Sequence, residues 1–313
     1  MLLPYSTPAL LGARIPAVLL ASHLVCAYSS NSPMAHARNA KSRVFSTAPP
    51  ASPSGIDLYS VRTPNGLKVN IALEELNALG TPIEYKEHAI DFSKKEQKEP
   101  WFLEINPNGR IPAIVDRSND DIKVWETGSI LRYLAEHYDK EHKLHFDSFA
   151  EETEMYNWIF FQHGGLGPMA GQANHFLSAD IKLPYAAKRY MDETKRLMSV
   201  YESRMSEAIE VDGQPQEREY LAGKGKGKFS YADIASFTWV RIHPFSLGVP
   251  SLSTDFPRVA RWLERIEARE GVKRAVKGDM LDKFKSKEGW EAESRQRVEW
   301  VERGEEKPKR DEL

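Results

Sequence analysis

The chain has 313 residues, room for about two domains and a sizeable core. Its formal net charge of -2 and pI near 6.5 supply no basic field, which argues against nucleic acid as a partner. The single cysteine, Cys26, excludes internal disulfides and any Cys-x-x-Cys motif, so redox chemistry here would need the sulfur of a bound thiol.

Residues 1 to about 54 contain no Asp or Glu but carry Arg14, Arg38, Lys41 and Arg43 among many Ser, Ala and Pro residues. Such a stretch reads as a mitochondrial transit peptide outside the folded core. Two other addresses stay open. The apolar run from Ala17 to Ala27, broken at Ser22-His23, has the look of a secretory h-region, and the chain ends in Arg310-Asp311-Glu312-Leu313, one substitution from an endoplasmic reticulum retrieval signal. If neither signal acts, the protein is cytoplasmic. The run is too short and interrupted to cross a bilayer, so no membrane partner is expected.

A first domain is expected over residues 55–142. Ile56 to Val61 alternates apolar positions and is rich in strand formers. Thr63-Pro64-Asn65-Gly66 ends that strand, and Val69, Ala72, Leu73 and Leu76 then mark an amphipathic helix that stops at Gly80. Ile83 and Tyr85 begin a second strand, which completes a right-handed βαβ unit. A Lys- and Glu-rich segment from Ser93 to Glu99 leads to Asn106-Pro107-Asn108-Gly109-Arg110-Ile111-Pro112, dense turn chemistry that delivers the chain to an apolar strand. Pro112 at the head of that strand holds Ile111 extended, and leaves the Ile111 backbone free to pair with a peptide laid alongside. Ser118 to Asp121 turns the chain into Ile122–Trp125. Glu126-Thr127 then opens a helix whose unpaired N–H groups suit a carboxylate.

Residues 148–278 read as a second, all-helical domain. Tyr156, Trp158, Ile159, Phe160 and Phe161 give an apolar helix that runs into Gly164-Gly165-Leu166-Gly167-Pro168-Met169-Ala170-Gly171, where four glycines and a proline predict a kink or an unwinding. Pro184 fits the first position of a long helix with Ala187, Met191, Thr194, Met198, Tyr201 and Met205 on one stripe, read as core. Val211 to Glu219 reads as a polar loop, and Lys224-Gly225-Lys226-Gly227-Lys228 as a solvated connector. Ser230-Tyr231-Ala232-Asp233 has the spacing of a capping box, and Pro257 starts a further helix. Residues 279–313 are dominated by charge and read as a loosely attached helix or tail. His163, just before the double glycine, is a lone histidine of the kind more often structural than catalytic, and no cluster with metal spacing occurs, so no metal is expected.

The Thr63-Pro64-Asn65-Gly66 turn, the Asn-Pro-Asn-Gly-Arg-Ile-Pro run with Glu126-Thr127, and the Gly-Gly-Leu-Gly-Pro-Met stretch together resemble the cytosolic glutathione transferases. They resemble in particular the branch of the bacterial Nu-class disulfide reductases and the fungal nitrogen-catabolite regulator. The likeness runs from about Ile56 to about Lys277. It implies a thioredoxin-like βαβ-ββα domain followed by a helical bundle, glutathione as co-substrate and a homodimer. It further implies backbone pairing of the tripeptide at Ile111, beside a cis bond to Pro112. Glu126 and Thr127 would hold the γ-glutamyl end, Gln97 the glycyl end, and Arg189 would reach across the dimer. The thiolate donor corresponds to Asn65, with Thr63 nearby. A free thiol is only a few per cent ionised at pH 7, so such a donor is needed to favour the anion. The function implied is that of a transferase or disulfide-bond reductase acting on a small electrophile or disulfide. The alternative is a regulator or scaffold that keeps the fold without catalysis. The regulator's Asn/Gln-rich arm has no counterpart in residues 1 to 55, which contain no Gln.

Overall fold

The computed structural model describes residues 47–211 and 213–304. Most of the acid-free leader, Cys26 and the Arg310-Asp311-Glu312-Leu313 ending lie outside the described residues. The chain is already tied to the fold at Ser52, whose N–H and hydroxyl donate to the buried Asp57 carboxylate at 3.2 and 2.6 Å. The folded body thus starts slightly earlier than the leader boundary near residue 54 implies.

Strand β1 (Ile56–Ser60) is wholly buried and pairs parallel with β2 (Tyr85–Ala89) across helix α1 (Pro64–Ala78). A 3-10 turn at Glu96–Lys98 and a one-turn helix α2 (Pro100–Leu103) follow; the sequence did not announce α2. Strands β3 (Ala113–Asp116) and β4 (Ile122–Trp125) form the expected hairpin, which leads into α3 (Thr127–His137). The sheet order is β2-β1-β3-β4, with β3 antiparallel to β1, the thioredoxin-like plan.

Helix α1 departs from the amphipathic helix expected. Ten consecutive or near-consecutive residues from Gly66 to Leu76 are buried, including Lys68, Asn70 and Glu75, because the sheet covers one side and the helical domain the other. Its start is pressed onto the end of β1: a Cβ on Gly66 would lie 2.0 Å from the Val61 carbonyl oxygen, so only glycine fits. Along its length Glu75 accepts from Arg269 Nε and Nη2 at 2.9 and 2.6 Å and from the Val272 N–H at 3.1 Å.

The helical domain begins with α4 (Phe149–Phe161), a π-helical turn at Gln162–Leu166, and α5 (Gly167–Ser178). The glycine-rich stretch therefore does not unwind the helix. It widens one turn, a local irregularity that recurs at functional sites. Helix α6 (Pro184–Met205) starts at its proline and buries Ala187, Met191, Thr194, Met198, Tyr201 and Met205, the stripe read as core.

Where the polarity of Val211 to Glu219 suggests a loop, the chain forms a two-stranded hairpin, β5 (Ala208–Val211) and β6 (Gln214–Glu217). Helices α7 (Tyr231–Val240), α8 (His243–Ser246), α9 (Pro257–Glu267) and α10 (Glu270–Val276) complete the region expected from the pattern. Beyond it, α11 (Met280–Lys285) and α12 (Trp290–Glu302) are packed rather than loose. Leu281, Phe284, Val298, Trp300 and Val301 are all buried, and α12 lies against α6 and α8. Asp279 is buried and paired with Arg241, while most other charged residues described in this segment are exposed. No described helix is long and apolar enough to cross a membrane.

The capping box at α7 has a second task. Asp233 accepts from the Ser230 N–H at 3.0 Å, and also from the Leu221 N–H and the Trp262 indole at 3.1 and 2.9 Å, all in the core. Asp233→Ala should therefore cost about 3 kcal/mol or more, by removing a cap and stranding buried donors. Urea unfolding measures this; a loss of only a few tenths would contradict the assigned bonding.

Candidate functional site

A cavity of about 900 Å3 opens where the thioredoxin-like domain meets the π-turn, α5 and α7. Its wall includes Thr63, Asn65, Gln97, Ile111, Pro112, Glu126 and Thr127, seven of the eight residues singled out from the sequence. The eighth, Arg189, is exposed on α6 and does not line this cavity. Among the described residues no group of three or more His, Cys, Asp or Glu could hold a metal ion.

On one side, the Ile111–Pro112 peptide bond is cis. Among the described residues neither the N–H nor the C=O of Ile111 meets a hydrogen-bond partner, so a short edge is open to an extended ligand. Gln97, in the 3-10 turn, contributes a buried Oε1 with no partner, a polar atom that a ligand could satisfy.

The next wall is the start of α3. Glu126 holds a positive φ of 67°, uncommon for a residue with a side chain, and no side chain caps the helix. The first-turn N–H groups of α3 are thus left for an incoming acceptor. The Glu126 carboxylate sits 3.5 Å from the Asn108 amide and 3.3 Å from His163 Nε2. His163 is therefore at the cavity rim, paired with Glu126 across the two domains.

Beneath this corner lies Lys68, a residue the sequence reading passed over. It is 1% exposed, and its ammonium donates to Gln162 Oε1 at 2.6 Å and to the Thr127 hydroxyl at 3.3 Å. Both partners are neutral. Burial lowers its pKa from the usual 10.5 to about 7, while the nearby Glu126 charge works in the opposite direction. A bound anion would favour the protonated form of Lys68, and with the uncapped helix start above it this corner suits a carboxylate.

The remaining wall carries Asn65. Thr63 is the N-cap of α1, its hydroxyl accepting from the Gly66 N–H at 3.2 Å, so Asn65 is not the cap but lies inside the first turn. Its Oδ1 accepts from the Trp239 indole at 2.9 Å. An indole only donates, which fixes the amide orientation and leaves Nδ2, a donor, without a protein partner among the described residues.

A thioredoxin-like sheet domain joined to a helical bundle, with a cavity of mixed polarity at their junction, defines a two-domain class of fold. Comparison with known proteins makes this specific. Residues 54–136 match the glutathione S-transferase N-terminal domain and residues 178–270 its C-terminal domain. Protein URE2 of Candida albicans is 33% identical over 249 residues, 72% of this chain and 70% of that one. A glutathione S-transferase-like protein, tpcF of Aspergillus fumigatus, is 37% identical over 226 residues, 71% of this chain and 94% of that one. Among solved structures, the glutathione transferase URE2P6 of Phanerochaete chrysosporium, in complex with oxidised glutathione, superposes with a TM-score of 0.62 at 34% identity, covering 71% of this chain and 94% of that one. The chain belongs to the glutathione S-transferase family, in its Ure2-like branch.

Lys68 allows a pH test of the charge assignment. With its folded pKa near 7 and its unfolded pKa near 10.5, the unfolded chain holds a proton that the native state lacks between those values. The native state therefore loses stability as pH falls from about 10 to 7, and no further below. Lys68→Met should be more stable than the parent at pH 6, with the gain shrinking steadily up to pH 9.5. Denaturant melts at four pH values would show it; a gain that does not vary with pH would refute a buried ammonium.

Proposed function

We propose that this protein binds glutathione in the cavity, stabilises its thiolate and directs it at a small electrophile or disulfide. The peptide would pair with the Ile111 backbone, its γ-glutamyl carboxylate would meet the start of α3 at Thr127 above Lys68, and its ammonium would meet Glu126. Gln97 would contact the glycyl end. The thiolate would accept from Asn65 Nδ2, with the Thr63 hydroxyl close by. The observation that carries the reading is that one cavity joins a carboxylate receptor to a free amide donor. The structure of URE2P6 holding oxidised glutathione supports it.

The chemistry asked of the protein is small. A bound thiol must lose its proton to water and remain an anion until the second substrate arrives, and an amide donor lowers the thiol pKa without itself reacting. A charge-assisted bond contributes on the order of 1.5 to 3 kcal/mol. Asn65→Ala should then lower turnover on the order of tenfold or more while glutathione affinity holds. Asn65→Asp is the sharper variant. It keeps an acceptor for Trp239 and places a favourable charge in the first turn of α1, so the fold should survive, yet it sets an anion against the thiolate. Glu126→Ala should weaken binding first. Calorimetry with glutathione, and parallel assays with an aryl halide and a mixed disulfide, test the set. Full activity in Asn65→Asp would remove the thiolate role. Tight binding with neither activity would favour the non-catalytic reading that relatives described as regulators represent.

We also propose a homodimer built on α4. Phe149 and Phe160, 83% and 67% exposed, are eleven residues apart and so share one face of that helix. Such a stripe is suited to cover by a second copy.

A further inference from the structure

Asn65 and Trp239 are 174 positions apart, and their side chains meet at the cavity wall. An amide at the start of a helix has two orientations of similar shape, which present either an N–H donor or a carbonyl acceptor to the cavity. Only the first stabilises an anion. The second would aim a partial negative charge at it. The choice is made by Trp239, because an indole N–H can pair with the carbonyl alone.

The indole is itself held in place by what the chain lacks. Gly167 and Gly171 stand one turn apart on α5, and a Cβ on either would come within 3.3 Å of the Trp239 ring; on Gly167 it would also lie 2.5 Å from Gln162 Nε2. The two glycines leave a shallow groove for the ring, with the Gln162 amide, the partner of Lys68, alongside. This gives the glycine-rich stretch a purpose beyond widening the helix. It admits the aromatic ring that orients the donor in the other domain.

We propose that Trp239 is the positioning residue of the site: its indole N–H locks the Asn65 amide with the NH2 group turned into the cavity, and Gly167 and Gly171 form the seat that holds the ring. Trp239 is not assigned a contact with the reacting sulfur. The inference rests on the thiolate role of Asn65 proposed above.

The test compares the parent, Trp239→Phe, Asn65→Ala and the double variant, each bound to glutathione. The ultraviolet absorbance of the bound thiolate is followed against pH, and kcat and KM for glutathione are measured with an aryl halide. Trp239→Phe should raise the midpoint of thiol ionisation and lower kcat about three- to tenfold, with KM for glutathione within about twofold. In the Asn65→Ala background the same change should have no further effect, since nothing remains to be oriented. Should Trp239→Phe fail to fold, 3-benzothienylalanine at position 239 replaces the N–H with sulfur at the same shape and should give the same shifts. Equal losses in both backgrounds, or a defective Asn65→Ala beside an unchanged Trp239→Phe, would overturn the positioning role alone. An unchanged thiol midpoint in Asn65→Ala would overturn the thiolate reading and the positioning role together.

Discussion

The site depends on one constraint, the enclosure of α1. A helix on the face of a sheet would normally bury one stripe, but α1 packs on the sheet with one side and against α7 and α10 with the other. Its first turn is fixed against the end of β1 by Gly66, its last turn by the Glu75 bonds to Arg269 and Val272, and its cavity-facing groups by Trp239 and Gln162. Three of those four anchors come from the helical domain. The thioredoxin-like domain supplies most of the cavity-lining residues, and the second domain holds Asn65 and Lys68 in place. Gly271 shows how close the contact is, since a Cβ there would lie 2.7 Å from the Glu75 nitrogen.

The same enclosure accounts for the electrostatics of the cavity. Lys68 is carried inside by a helix that has no solvent face to offer it, and it meets neutral oxygens rather than a carboxylate. Such an arrangement costs stability, which a fold retains where the charge has a task. The uncapped start of α3 is a departure of the same kind, for its N–H groups stand unsatisfied where an anion would meet them, and the positive φ of Glu126 is backbone strain kept at the same corner. The π-turn belongs with them, since it lies opposite and carries both Gln162 and His163.

Much of the fold was legible because its signals are local. Turn residues placed the β3–β4 hairpin, Pro184 and Pro257 placed two helix starts, and Ser230-x-x-Asp233 placed a third. Seven of the eight candidate residues line one cavity, and they could be named because they cluster in turns and helix starts. What escaped was non-local. Lys68 reads in sequence as an ordinary helical lysine, and only the second domain makes it buried; Trp239 reads as one more apolar residue of a core helix, since its partner is 174 positions away. The β5–β6 hairpin did have a signal, the Asp212-Gly213 pair that favours a two-residue turn, which the surrounding polarity obscured. The packing of α12 was hidden in the same way, its buried Val298, Trp300 and Val301 spaced among charges.

If this cavity holds a thiol peptide as its anion, the sulfur of the bound peptide reports it directly. Glutathione labelled with 13C at the cysteinyl β-carbon reports the protonation of its own sulfur by chemical shift, independently of any second substrate. Titrated on the protein, the signal should move with a midpoint well below the free-thiol value of about 8.5. A signal that shows saturable binding but titrates at or above that value would rule out thiolate stabilisation, for the protein would then hold the peptide without activating it.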